Sequence, residues 1–210
     1  MNGLLLQEEP QILLDDSSGR LDFIPHFLAP GLIGTLDQDI RWRQDQISLF
    51  GRTTPLPRLT AWYGNPEAVY YYSGIRNDPL PWTPLLNQIR SQAENLTATQ
   101  FNSVLANRYA DGLQYMSWHA DNEAALGPEP IIASISVGTP RRFLFKHKVD
   151  GRKLEIILGD GSLLVMSGRL QQEWLHALPK TRKPLDLRIN LTFRCLKSAV
   201  TKAVFGRDNS

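Results

Sequence analysis

The sequence predicts a mainly β protein, a sandwich or jelly roll capped by helices near its N-terminus. Three observations carry this expectation. Between Thr99 and Arg194 the chain breaks into short runs rich in β-branched and aromatic residues. Turn signals separate these runs, among them Asp111-Gly112, GPEP, VDG and GDG. Helical periodicity is confined to two segments before Thr99. Helices followed by a run of strands argue against an alternating βαβ sheet.

Taken in order, residues 1–20, with QEEP and DDSSG, read as a flexible polar segment. From Leu21 to residue 210 the texture is that of a single domain, and 210 residues at 42% hydrophobic are enough for one sizeable core. APGLIGTLDQDIRW places Leu32, Ile33, Leu36 and Ile40 at helical spacing. PWTPLLNQIRSQAENL repeats that pattern with Leu85, Leu86, Ile89 and Ala93 behind a proline-rich start. Eight strands follow: FNSVLANRY, GLQYMSWHAD, IIASISVG, RRFLFKHK, KLEIILG, GSLLVMSG, EWLHALP and DLRINLTFR.

No apolar run approaches the length of a membrane span, and no basic flank precedes the short LLL cluster near Met1, so a soluble, unexported protein is expected. The single cysteine, Cys195, cannot form an intrachain disulfide and suits a reducing compartment. The net charge of +2 is unevenly distributed: residues 141–210 hold 15 Lys/Arg against 6 Asp/Glu, leaving 8 against 15 before them. Arg141, Arg142, Lys146, Lys148, Arg152 and Lys153 form one basic cluster, and Lys180, Arg182 and Lys183 another. On charge alone such clusters serve solubility as often as phosphate binding.

In SWHADNE, His119 and Asp121 stand at i and i+2, which on a strand puts an imidazole and a carboxylate on one face. The pair by itself fits either a metal chelate or an ordinary amphipathic strand. Three other histidines exist. His26 lies in FIPHFL, and His147 lies in the basic KHK run, where a solvated or phosphate-facing role is expected. His176, in WLHALP, is the candidate third ligand. Two histidines and a carboxylate on one side of an ion form the facial arrangement of non-haem Fe(II) oxygenases.

In DLRINLTFR, Arg188, Asn190, Thr192 and Arg194 share one face, while Leu187, Ile189, Leu191 and Phe193 share the other and read as core. The two arginines lie roughly 20 Å apart along the strand, so a dicarboxylate between them can meet a guanidinium at each end. A polar face turned to solvent is the alternative. Asn107 and Tyr109, again at i and i+2, precede the His119 strand.

NRYADG, SWHADNE, WLHALP and RINLTFR, in that order, resemble the AlkB family of Fe(II)/2-oxoglutarate dioxygenases, and most of all its duplex-DNA-repairing branch. The resemblance covers roughly residues 45–196. It implies a double-stranded β-helix, a jelly-roll form, spanning 99–196, with 21–98 supplying helices and nucleotide recognition. It implies Fe(II) held by His119, Asp121 and His176. Arg188 and Tyr109, helped by Asn190, would bind the distal carboxylate of 2-oxoglutarate, with Thr192 on the same face and Arg194 and Asn107 at the metal-proximal end. Dioxygen is the second co-substrate.

The implied reaction hydroxylates a methyl group on a base nitrogen, releasing formaldehyde, succinate and CO2. Its implied substrates are 1-methyladenine and 3-methylcytosine in DNA, the base being flipped from a duplex. Tyr72 would stack on that base, with Tyr70 and Ser73 beside it and Glu123 near the exocyclic amine. Phe50 matches the aromatic finger that fills the gap, and the flanking Arg52 and Arg58 would meet phosphates. The cluster from Arg141 to Lys153 then reads as a backbone clamp. Two positions depart from the duplex-acting pattern and bear on base preference: Tyr72 stands where phenylalanine is common, and Asn122 where an acid is expected. A monomer is expected, without membrane contact, in the cytoplasm of a bacterium or the nucleus of a eukaryote. The rival readings are an oxygenase of RNA, protein or a small molecule, and a non-catalytic module that binds methylated nucleic acid.

Overall fold

The structure, a computed structural model, describes residues 9–49, 52–72 and 75–197. In chain order its elements are β1 (Gln11–Asp16), β2 (Gly19–Ile24), α1 (Ile33–Asp39), β3 (Gln46–Leu49), β4 (Arg52–Pro55), β5 (Leu59–Gly64), β6 (Tyr70–Tyr72), β7 (Ile75–Asn77), α2 (Pro84–Thr97), β8 (Ser103–Tyr109), β9 (Met116–His119), β10 (Ile132–Gly138), β11 (Arg141–His147), β12 (Lys153–Leu158), β13 (Ser162–Ser167), α3 (Leu170–Glu173), β14 (Trp174–Leu178) and β15 (Arg188–Arg194). Both expected helices form, as do all eight strands expected after Thr99. Among the described residues no helix is long and apolar enough to cross a membrane.

Helix α2 shows how local sequence sets an element. Thr83 accepts a hydrogen bond from the Leu86 amide at 3.1 Å, Pro84 occupies the first turn, and the helix stops at Ala98 in a left-handed conformation. Leu86, Ile89 and Ala93 form its buried stripe.

A large antiparallel sheet runs β1-β2-β13-β10-β15-β8-β5, and a small one runs β12-β11-β14-β9. Between β8 and β15 the chain passes back and forth between the two, the connectivity of a double-stranded β-helix. Two apolar clusters result. One joins Leu36, Leu86 and Ile89 of the helices to Ile189, Leu191 and Phe193 of β15. The other lies between the sheets, around Phe145, Leu164 and Trp174. Strand β15 is therefore buried on both faces, and its polar face looks into the space between the sheets instead of into solvent.

The N-terminal expectation needs correction. Instead of being loose to residue 20, the chain is ordered from β1 onward: β1 pairs with β2, and β2 pairs with β13. β1 is a sheet edge, so its side chains are mostly exposed, Ile12 and Leu13 among them, and its order comes from backbone pairing with β2 and from charge pairs at its C-terminal end. Arg20 pairs with Asp15 and Asp22, and Arg152 reaches Asp16 at 3.0 Å.

The basic cluster is also corrected in part. Arg141 is buried, donating to the carbonyl oxygens of Asp111, Gln114 and Pro179. Arg142 forms a bidentate pair with Glu155, Arg152 pairs with Asp150, and Lys148 donates to the carbonyls of Gln171 and Gln172. Most of this cluster is spent on the fold. His147 is likewise buried, edge-on to Trp174 and 2.9 Å from Asp150, so its solvated reading fails.

Candidate metal and co-substrate site

His119 is the last residue of β9, and Asp121 follows in the loop beyond it, so the pair straddles the strand end instead of lying within it. His119 Nε2 stands 3.9 Å from Asp121 Oδ1. His176 comes from β14, paired directly opposite His119, with ring centres 4.2 Å apart. One ligand atom from each of the three lies within 4.8 Å of the others. The cross-strand register brings together residues that lie 57 positions apart in the chain.

The surroundings orient these side chains and set the charge of two of them. His119 Nδ1 lies 2.8 Å from the Ser117 carbonyl oxygen, which only accepts, so Nδ1 carries a proton and Nε2 is the ring nitrogen that faces Asp121 and His176. Burial, reinforced by His119, pushes the His176 pKa down to about 3, so that imidazole stays neutral. Burial opposes ionisation of Asp121, yet its surroundings, the Arg194 guanidinium foremost, outweigh it and hold its carboxyl below the usual range. Arg194 Nη2 lies 2.8 Å from Asp121 Oδ2. The donor set, two imidazoles and a carboxylate, fits Fe(II).

Beyond Arg194 the polar face of β15 continues into the same cavity. Asn190 donates to Ser134 Oγ at 2.9 Å and to the Ile135 carbonyl at 3.0 Å, and Thr192 donates to Asn190 Oδ1. At the far end Arg188 donates to Ser136 Oγ at 2.8 Å and lies over the Tyr109 ring at 5.4 Å. Arg188 is 2% exposed, and burial pulls its pKa down to about 10. It has no carboxylate partner among the described residues, and its buried Nε has no hydrogen-bond partner there. A buried guanidinium in that state calls for an anion. A carboxylate is an anion of the shape that a guanidinium meets.

The cavity gathers every residue expected to bind metal or co-substrate: Asn107, Tyr109, His119, Asp121, His176, Arg188, Asn190, Thr192 and Arg194. Sequence reasoning missed Met116, Phe143 and Leu178, which give the cavity its apolar wall. Leu178 stands at i+2 from His176 and Met116 pairs with it, so strand alternation was the available signal. Ser134 and Ser136 were legible in the same way, alternating through ASISVG. Gln171, whose Oε1 accepts from the Asp121 amide at 2.9 Å, had no signal in the sequence.

The expected base and DNA contacts fare differently. Arg58 is buried, and its Nε donates to Asn107 Oδ1 at 2.7 Å, so it braces a cavity residue instead of facing a phosphate. Glu123 is partly buried at the start of a 3-10 turn over Ala124–Leu126, two residues from Asp121. Tyr70 and Tyr72 lie on β6, paired with β7. Phe50 and Ser73 lie outside the described residues.

A family model described as the 2OG-Fe(II) oxygenase superfamily matches residues 22–194, and the chain belongs to that superfamily. Within it, the relatives are those of the AlkB family. The chain is 39% identical over 176 residues to alpha-ketoglutarate-dependent dioxygenase alkB homolog 3 of Rattus norvegicus, covering 79% of this chain and 59% of that protein. It is 39% identical over 157 residues to DNA oxidative demethylase ALKBH2 of Homo sapiens, covering 71% and 60%. Against the ALKBH2 of Arabidopsis thaliana it is 35% identical over 199 residues, covering 82% and 63%. The chain thus spans about 60% of the length of these curated relatives. The solved structure of OsALKBH1 shares the fold, with a TM-score of 0.62 at 15% identity over 88% of this chain and 100% of that one.

Proposed function

We propose that this chain is an oxidative DNA dealkylase that restores bases such as 1-methyladenine and 3-methylcytosine. One observation carries the reading: the His119–Asp121–His176 cluster opens onto a buried polar strand face that ends in Arg188, a cation without a carboxylate partner among the described residues. Among its relatives, ALKBH2 is named as a DNA oxidative demethylase, which supports DNA as the substrate.

When bound, Fe(II) and 2-oxoglutarate supply dioxygen-dependent hydroxylation of a methyl group, with succinate and CO2 as co-products. The chain's own residues do the positioning. His119, Asp121 and His176 would hold the metal. Arg188, Tyr109 and Asn190 would seat the distal carboxylate of 2-oxoglutarate. Met116, Phe143 and Leu178 form the apolar wall opposite the polar face of β15 and limit the water that side of the cavity can hold. Tyr72 stacks on the extruded base, with Tyr70 and Ser73 beside it, Glu123 favours a cationic methylated base, and Phe50 holds the duplex open. A hydroxymethyl group left on the base nitrogen loses formaldehyde.

The test is anaerobic loading with Fe(II), then incubation in air with 2-oxoglutarate and a duplex oligonucleotide carrying one 1-methyladenine, read by mass spectrometry. Loss of the methyl mass is expected, dependent on 2-oxoglutarate and absent in His119→Ala. Succinate without repair moves the search to RNA, protein or a small molecule. Folded, iron-loaded protein that forms neither product sinks the enzyme reading.

A further inference from the structure

We infer that Gln171 is a positioning residue for the metal centre, acting through the main chain of Asp121. Its side-chain oxygen accepts the Asp121 backbone N–H at 2.9 Å, and Gln171 itself is 2% exposed. The amide orientation is forced. A backbone N–H can only donate, so the oxygen must face Asp121, and the NH2 group then lies 3.4 Å from the Met166 sulfur. Asp121 stands beyond the last residue of β9, where no ladder hydrogen bond anchors it, so this contact restrains the backbone that carries the carboxylate ligand.

The support behind Gln171 is itself rigid. Helix α3 is one turn, pressed so closely on the β1–β2 turn that a Cβ on Gly19 would lie 2.7 Å from the Leu170 nitrogen. Lys148 closes the far side: its Nζ donates to the Gln171 and Gln172 carbonyls at 3.1 and 2.6 Å, and its backbone N–H donates to the Glu173 carbonyl at 2.8 Å. Trp174, which follows α3, donates to Ser18 Oγ at 2.9 Å. A side chain on so constrained a turn can hold another residue's backbone in one place, as groups behind metal ligands do.

The inference rests on the metal-site reading, and the experiment separates the two. Mn(II), which takes the same ligands without oxidising, is titrated into metal-free protein and free Mn(II) is read by electron paramagnetic resonance. Wild-type protein should bind one equivalent; failure to bind overturns the metal-site reading and this one with it. Gln171→Met keeps the volume and removes the acceptor, and a roughly 10- to 100-fold rise in the Mn(II) Kd is expected, with the fold checked by circular dichroism. Gln171→Glu keeps an acceptor for the N–H and should bind Mn(II) within a few-fold of wild type or more tightly. Unchanged affinity in folded Gln171→Met, or a tenfold loss in Gln171→Glu, overturns the positioning role. If Gln171→Met does not fold, Gln171→Asn, one methylene too short to reach, takes its place with the same expected loss.

Discussion

Arg188 shows how much one side chain decides. In isolation it is a cation on a polar strand face; in the fold it is buried against Tyr109 and Ser136, without a carboxylate partner among the described residues. Arg188→Met is expected to weaken 2-oxoglutarate binding by about 2 kcal/mol or more, roughly 30-fold. Anaerobic titration calorimetry on the Mn(II)-loaded protein measures this, and unchanged affinity would place the carboxylate elsewhere. Arg188→Lys should not restore binding, because an ammonium lacks the planar fork that meets a carboxylate with two bonds. Arg58 gives the opposite lesson: its neighbours in the sequence suggest an exposed cation, yet it is turned inward onto Asn107.

At the scale of elements, helix α1 is tied to β8 by Asp37, whose carboxylate receives Arg108 Nε at 2.6 Å and Nη2 at 3.0 Å. The Arg108 hydrogen bonds hold the Asp37 carboxyl below its ordinary value of 3.8. Its folded pKa is thus lower than its unfolded one, so the pair stabilises fully above about pH 4 and loses that contribution as pH falls further. Asp37→Asn is expected to reduce stability at pH 7 by about 1 kcal/mol and to flatten the pH dependence below pH 4, measured by urea denaturation across pH. A variant with the wild-type slope below pH 4 would show that the pair contributes nothing. The elements themselves were largely legible, because each strand after Thr99 is bounded by turn chemistry and α2 carries its own cap. Strand β1 and helix α3 were not: one is a short exposed edge flanked by the acidic runs of QEEP and DDSSG, and the other is a single turn defined by what packs on it.

Over the whole molecule, the N-terminal hairpin is structural. It extends the large sheet through β2 and β13, and it reaches the small sheet through Asp16–Arg152 and Trp174–Ser18. Deletion of residues 1–17 removes β1 and leaves β2 as an unprotected edge. The melting temperature is expected to fall by roughly 4–8 °C for a loss of about 2 kcal/mol, followed by circular dichroism. An unchanged melting temperature would return the segment to the loose terminus that its composition suggests.

What the sequence determined by itself was the set of parts: strands from alternation and turns, two helices from periodicity and capping, and a His119–Asp121 pair with one plausible third ligand. It also separated the polar and apolar faces of β15, since alternation is local. Tertiary structure decided where each face went. Helices cover one side of the large sheet and the small sheet covers the other, so the polar face became a buried cavity wall. Cross-strand register set His176 opposite His119, and packing of a one-turn helix brought Gln171 to Asp121. These outcomes depend on contacts between residues far apart in the chain, and such contacts leave no periodicity in the sequence between them.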